Sequence, residues 1–180
     1  MKLLLHTCCA PCLIYPLQRL RKQKLEVTGF FYNPNIYPAS EYQNRRKAVV
    51  GFSSKDDIEI IYPEYIPSEF LYAVDLNKDK PQRCSICWSL RLKKTAKAAK
   101  EKGFSHFSTT LLVSPYQDQD LLKKIGNAIS EVEGVNFYYE DFRPGFKKAH
   151  DLAKAHGIYC QNYCGCIYSE IERCKRSAKH

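Results

Sequence analysis

Short apolar runs alternate along this chain with stretches of helical periodicity. Lys2 to His6 is a mostly apolar run of strand character, and Leu13, Leu17 and Leu20 then share one face of a helix expected over Leu13 to Lys24. Leu25 to Tyr32 predicts a second strand, stopped by Asn33-Pro34-Asn35, after which Ser40 is placed to cap a helix reaching about Phe52. Ile58 to Tyr62 predicts a third strand. Pro63 and Pro67 break the chain, Ser68 to Val74 reads as a short helix, and Asp75 to Gln82 is a polar loop. From Cys84 to Lys102 the pattern is strongly helical, with Gly103 as its stop. Phe104 to Val113 predicts a strand, Leu121 to Val132 a helix, Val135 to Tyr139 a last strand, and Phe146 to His156 a helix closed by Gly157.

Strands separated by helices pair in parallel through crossovers. The expected fold is therefore α/β: one catalytic domain spanning residues 1–180, with a parallel sheet of about five strands, helices on both faces, and a cysteine-rich C-terminal segment. In such sheets ligands collect beyond the carboxyl ends of the strands. Cys8 to Cys12 follows the first strand, Tyr32 to Asn35 the second, Thr109 to Tyr116 the fourth and Asp141 to Arg143 the fifth, so one rim gathers all four loops. The second cysteine pair, expected at the start of its helix, and the C-terminal pair need only reach that rim.

Of nine cysteines, seven fall into three tight groups: Cys8, Cys9 and Cys12; Cys84 and Cys87; Cys164 and Cys166. Spacings of one or two residues let a single loop aim two thiolates at one metal while distant segments complete the shell. A disulfide framework belongs to small secreted chains, and the short run Leu3 to Leu5 is far less than a signal-peptide apolar region. No run approaches the ~18 apolar residues of a membrane span. The expected setting is cytoplasmic, where clustered thiols are metal ligands or redox catalysts. One zinc would use four of them; seven suffice for an iron-sulfur cluster plus a second metal or a catalytic pair. Cys160 and Cys174 read as packing residues.

At the start of a helix, Cys9 and Cys12 are expected to be primed as thiolates by the backbone dipole, and Pro11 suits the turn there. Taken alone, that loop also fits thiol-disulfide exchange. Asp141 ends a strand at the rim, where its carboxylate could bind iron or hold a substrate group; the plainer alternative is a surface pair with Arg143. Asp75 and Asp79 are weaker candidates of the same kind. Thr109, Thr110, Ser114 and Tyr116, with Tyr32, Asn33 and Asn35, offer neutral hydrogen-bonding groups to a hydroxylated ligand. The histidines read mostly as structural, and there is no Gly-rich phosphate loop.

The formal net charge is +9, with 13 tyrosines and basic groups at Arg19 to Lys24, Arg45 to Lys47, Lys93 to Lys102 and Arg173 to Lys179. That balance suits nucleic acid, although lysines and arginines also simply solvate helix faces.

Five motifs in order, His6-Thr-Cys-Cys-Ala-Pro-Cys12, Arg83-Cys-Ser-Ile-Cys87, Ser108-Thr-Thr-Leu-Leu-Val-Ser-Pro115, Asp141-Phe-Arg143 and Tyr163-Cys-Gly-Cys166, give the chain its family resemblance. It resembles the QueH family of epoxyqueuosine reductases over nearly its whole length. The resemblance implies a cobalamin-independent enzyme of the last step of queuosine formation, removing the epoxide oxygen from epoxyqueuosine at the wobble position of tRNA. It implies a [4Fe-4S] cluster with an additional mononuclear iron, and a fold similar to the adenine nucleotide α-hydrolase (HUP) group. That group carries a phosphate loop after its first strand; here Cys8 to Cys12 stands in its place, so ATP chemistry is not carried over. On this reading Cys8, Cys9, Cys12, Cys84, Cys87, Cys164 and Cys166 divide between cluster and iron. Cys9, Cys12 and Asp141 serve in catalysis, while Tyr32, Asn33, Thr109, Thr110, Ser114, Tyr116 and Arg143 bind substrate. A low-potential electron donor is required, and the sequence names neither it nor an oligomeric state. Two rival readings share the features: a zinc-stabilised RNA-binding module and a thiol-disulfide oxidoreductase.

Overall fold

A computed structural model of the protein describes residues 1–74 and 79–177. Strand β1 (Lys2–His6) is buried from Leu3 through His6, as a strand covered on both faces must be. It pairs in parallel with β2 (Glu26–Phe30) on one side and β4 (His106–Thr109) on the other. The two-residue strands β3 (Ile60–Ile61) and β5 (Asn136–Phe137) complete a five-stranded parallel sheet in the order β3-β2-β1-β4-β5. Edges this short offer little backbone to a neighbouring chain.

Helices α1 (Ala10–Lys22), α2 (Ala39–Lys55) and α6 (Phe146–Ala155) form one layer, with α1 packed on both others. Helices α4 (Lys80–Glu101) and α5 (Gln119–Glu133) pack on each other, and α4 also covers β1 and β4. Short α3 (Pro67–Ala73) packs on α4, and α7 (Ile167–Ser177) follows the C-terminal cysteines. Gly145 shows how closely α6 approaches α1: a Cβ there would lie 1.9 Å from Cγ of Tyr15.

Several boundaries differ from the expected ones, each for a local reason. The first helix begins at Ala10 rather than Leu13, because Pro11 sits in its first turn, where no N–H is needed. Ser40 is inside α2 and is not its cap; the capping position is Pro38. The fourth strand stops at Thr109, whose hydroxyl accepts from the Leu111 amide and turns Thr110–Val113 into a 3-10 helix. Cys84 and Cys87 do not start their helix, since α4 begins a turn earlier with Pro81 in its first turn. Helix α7 had no counterpart in the sequence reading.

The strand order reverses between β1 and β4, so the crevice beyond their carboxyl ends is the switch point of the sheet. The cysteine loop after β1 and the hydroxyl-bearing turn after β4 both open there.

Candidate metal centre

The loop after β1 places Cys8, Cys9 and Cys12 with sulfurs all within 4.8 Å of one another, and all three residues are buried. Cys8 and Cys9 Sγ atoms are 3.7 Å apart. Cys9 is the extended capping residue of α1 and Cys12 closes its first turn, so the helix start folds the third thiol back onto the first two. Thr110 ties the loop to the neighbouring strand: the Cys8 amide donates to its Oγ1 at 3.1 Å, and its hydroxyl donates to Cys8 Sγ at 3.3 Å.

Those bonds decide which thiol ionises. Hydrogen bonds from Cys12, then from Cys9, hold the Cys8 thiol well below its usual range against the opposing effect of burial, with Thr110 adding to them. Burial pushes Cys9 up, and donating to Cys8 pushes Cys12 up. Of the three thiols Cys8 is the one held low, while Cys9 and Cys12 are pushed up, a direction opposite to the one expected for them from the helix start alone. The helix dipole reaches all three; the long-range hydroxyl and the two neighbouring thiols single out Cys8. Gln161, from the C-terminal segment, donates Nε2–H to Cys9 Sγ at 2.9 Å.

Cys84 and Cys87 lie three residues apart on one face of α4, and Cys164 and Cys166 flank Gly165. Cys87 and Cys166 pack together with Phe70 and Val74. Burial drives the Cys87 thiol up to about 12, and the charges of Cys164, Cys166 and Cys84 add to that, so the four thiols share one neighbourhood. Cys164 is the most exposed of the four, yet burial still pushes its thiol up. No disulfide forms among the nine cysteines.

Buried Arg45 and Arg91 frame these groups, while Arg83, also buried and next to Cys84, pairs with Glu172. Arg45 of α2 bonds Glu41 Oε1 at 2.7 Å and gives its remaining donors to the carbonyls of Cys164 and Tyr163, both at 3.1 Å. Gly165, at φ +119°, lies against this guanidinium, where a Cβ would meet Nη1 and Nη2 at 3.1 Å. Arg91 follows Cys87 by one turn of α4 and is 2% exposed. Its Nε–H reaches only the Cys87 carbonyl, at 3.4 Å, and its Nη2 has no partner. Burial opposes its charge, while Cys87, Cys164, Cys8 and Cys166 sustain it, so Arg91 feels both thiol groups. From sequence Arg45 counts only as part of a basic group suited to nucleic acid, whereas the structure buries it against Glu41; Arg91 and Gln161 are not singled out, and of these only Arg91 carries a signal, as the i+4 neighbour of Cys87 on the cysteine face.

The other expected site residues are placed as follows. His6 is fully buried, its Nδ1 2.9 Å from Thr109 Oγ1 and its Nε2 3.2 Å from the Tyr32 carbonyl. Burial, then the charge of Arg91, lowers its pKa to about 3, so it is a neutral structural group. Thr109 is thus occupied inside the protein. Asn33 is buried and donates to the Thr7 carbonyl at 2.9 Å, leaving Oδ1 without a partner, and both amide atoms of buried Asn35 lack partners. The ring of Tyr32 is buried, with its hydroxyl on Glu69, which leaves no open stacking face. Tyr116 is 83% exposed and meets Phe146 edge-on. Ser114 accepts from the Tyr116 amide. Asp141 and Arg143 form a two-pronged ion pair, with N–O distances of 2.8 and 2.6 Å, on the exposed rim. Asp141 is not among the metal-ligating group of the described residues. Asp79 precedes α4, and Asp75 lies outside the described residues. Cys160 bonds the Ile158 carbonyl, and Cys174 is exposed on α7. Among the described residues no helix is long and apolar enough to cross a membrane.

Among solved structures, the predicted subunit of a tRNA methyltransferase from Methanocaldococcus jannaschii is similar in fold, with a TM-score of 0.54 at 9% identity over 86% of this chain and 74% of that one. In sequence, the chain is 40% identical to the epoxyqueuosine reductase QueH of Thermotoga maritima over 98% of its length and 94% of the relative's. It is 38% identical to that of Dehalococcoides mccartyi, over 96% and 94%. A family model described as epoxyqueuosine reductase QueH matches residues 3–172, a span that holds all seven clustered thiols with Arg45 and Arg91, and the chain belongs to that family.

Proposed function

We propose that this protein is an epoxyqueuosine reductase that removes the epoxide oxygen of epoxyqueuosine in tRNA without cobalamin, the last step of queuosine formation. The observation that carries the proposal is the gathering of free thiols from three parts of the chain: the Cys8, Cys9 and Cys12 set after the first strand, and the charges of Cys87, Cys164 and Cys166 acting together with Cys8 on one buried guanidinium, in a member of that family. The balance is an epoxide plus two electrons and two protons giving an alkene and water. We read residues 1–180 as one catalytic domain acting in the cytoplasm.

The donor set suits iron. A tetrahedral metal with metal-sulfur bonds near 2.3 Å has sulfurs about 3.8 Å apart. The 3.7 Å between Cys8 and Cys9 matches that edge, so Cys8, Cys9 and Cys12 would hold the additional mononuclear iron and leave its fourth position open. Cys84, Cys87, Cys164 and Cys166 would supply the four thiolates of a [4Fe-4S] cluster. When bound, such centres supply single electrons and a Lewis acid for the epoxide oxygen.

The protein's own groups prepare that chemistry. Thr110 and Gln161 hold the Cys8 and Cys9 sulfurs by hydrogen bonds and fix their orientation. The neutral His6 keeps Thr109 and the turn after β4 in place beside them. Tyr116 presents an open ring at the rim for a splayed anticodon base, and the +9 charge draws the tRNA backbone. Asp141 is offered as a proton relay, engaging only after its fork with Arg143 opens; Asp141→Asn should then cut turnover while iron content stays unchanged.

The test supplies epoxyqueuosine-containing tRNA and a strong reductant to anaerobically prepared protein, then looks for queuosine in digested nucleosides by mass spectrometry. Conversion by iron-replete protein is expected, and its absence overturns the proposal. A colourless protein holding one zinc and binding tRNA would favour the RNA-binding module. Metal-free protein cycling two thiols at a defined potential would favour the thiol-disulfide oxidoreductase.

A further inference from the structure

Buried Arg45 and Arg91 of this site are not equivalent. Arg45 has its counter-charge in Glu41 and spends its other donors on two carbonyls, so its charge and hydrogen bonds are both satisfied by the polypeptide. Arg91 is as deeply buried, yet among the described residues no carboxylate lies within salt-bridge reach of it and its Nη2 is orphaned. An arginine does not discard its proton to escape this situation, because its guanidinium stays charged across the working pH range. A buried cation of this kind needs an anion beside it.

The neighbours capable of supplying one are few. His6 is neutral, and burial with the Glu69 contact keeps Tyr32 protonated. The remaining groups whose charges act on Arg91 are the thiols of Cys87, Cys164, Cys8 and Cys166. Cys84, Cys87 and Arg91 recur at i, i+3 and i+7 of α4, so one helical face carries two thiols and the cation toward the sheet. Cys8 arrives from the loop after β1, and Cys164 and Cys166 from the C-terminal segment that Arg45 anchors.

We propose that Arg91 is a positioning residue: a fixed counter-charge shared by both thiolate groups, which assembles the negative metal-thiolate centre and stabilises its reduced form. The inference rests on the reading that these cysteines hold iron. Each electron delivered by a one-electron donor adds one negative charge next to the guanidinium and changes no covalent bond. A permanent cation at that position favours the more negative state, so Arg91 raises the midpoint potential relative to a site without it. Its Nη2–H is also free to donate to a sulfur, a contact that a packed apolar side chain cannot make.

The experiment compares full-length wild-type protein with Arg91→Lys and Arg91→Met, each prepared anaerobically. Iron and sulfide per chain are measured, and the midpoint potential is followed by electron paramagnetic resonance during dithionite titration. Arg91→Met is expected to titrate at a more negative potential than wild type, and Arg91→Lys, which keeps the charge, closer to wild type. Failure of Arg91→Met alone to retain iron, with Arg91→Lys loaded, supports the same role in assembly. A wild-type potential in loaded Arg91→Met overturns the proposal, as do equal shifts in both variants or loss of iron from both, which would assign Arg91 a shape-filling part. Wild-type protein that takes up no iron removes the underlying reading first, and this proposal with it.

Discussion

Nη1 of Arg45 donates to the backbone carbonyl of Cys164 at 3.1 Å, joining residues 119 positions apart in the chain. Helix α2 thereby holds the main chain of the segment that delivers the last two thiols. Sheet pairing does not involve that segment, so its placement depends on isolated anchors: this one, the Tyr163 hydroxyl on the Tyr37 carbonyl at 2.6 Å, and the Tyr37 amide on the Gly165 carbonyl at 2.7 Å.

Arg45→Met should therefore do more than delete a hydrogen bond. It strands Glu41, whose side chain is 8% exposed, leaving it the hydrogen bond from the Tyr159 hydroxyl. Breaking a buried ion pair by removing one member costs about 3–5 kcal/mol. Urea unfolding of the metal-free protein should show a loss of that size, and a change below about 1 kcal/mol would show that the pair is dispensable.

Gly165→Ala tests the same anchor from the other side. The substitution places a side chain at φ +119° and sets its Cβ 3.1 Å from the guanidinium. Backbone strain of this kind costs about 1–3 kcal/mol and here falls on the loop between two proposed ligands. The expected outcome is unchanged helical circular dichroism with reduced iron retention; full retention would contradict it.

Gly145→Ala probes the fold away from the thiols. Its Cβ would lie 1.9 Å from Cγ of Tyr15, so α6 must move off α1. Overpacking typically costs about 1–3 kcal/mol, or about 2–4 °C of melting temperature per kcal/mol at this chain length. Scanning calorimetry of the variant should show that fall, and pairing it with Tyr15→Ala should recover part of it.

Replacing Cys8, Cys9, Cys87 or Cys164 with Ser should lower iron per chain. Cys174→Ser should leave it unchanged, because that residue is exposed on α7 and stands apart from both thiol groups. Equal loss at Cys174 would show that the thiols have been divided wrongly.

Much of this was legible from the chain because burial writes its own pattern. The run Leu3 to Leu5 and the helix-strand alternation suffice for a parallel sheet, and the cysteine spacing marks the rim loops. Strands β3 and β5 were expected to be longer, since apolar residues such as Tyr62 and Val135 pack without pairing. Lys80-Pro81 already signalled the true start of α4. Helix α7 carried a signal that was missed, since Ile167, Ile171 and Cys174 recur at i, i+4 and i+7 within the otherwise polar Ile167–Ser177. Cys8 could not be distinguished from Cys9 without Thr110, which acts across 102 residues, and Gln161 sits in an irregular segment with no periodicity to betray it.

The dependence of the centre on both ends of the polypeptide fixes a timetable for its biogenesis. At about 5–20 residues per second, Cys12 is made roughly 8–30 s before Cys164. Under the proposed division, iron arriving in that interval would find the Cys8, Cys9 and Cys12 set but not the full set of Cys84, Cys87, Cys164 and Cys166, so loading of the latter would be a task for the finished chain. A product cut short before its final turns is a bare polythiol, open to oxidation and without the anchors that would shelter it.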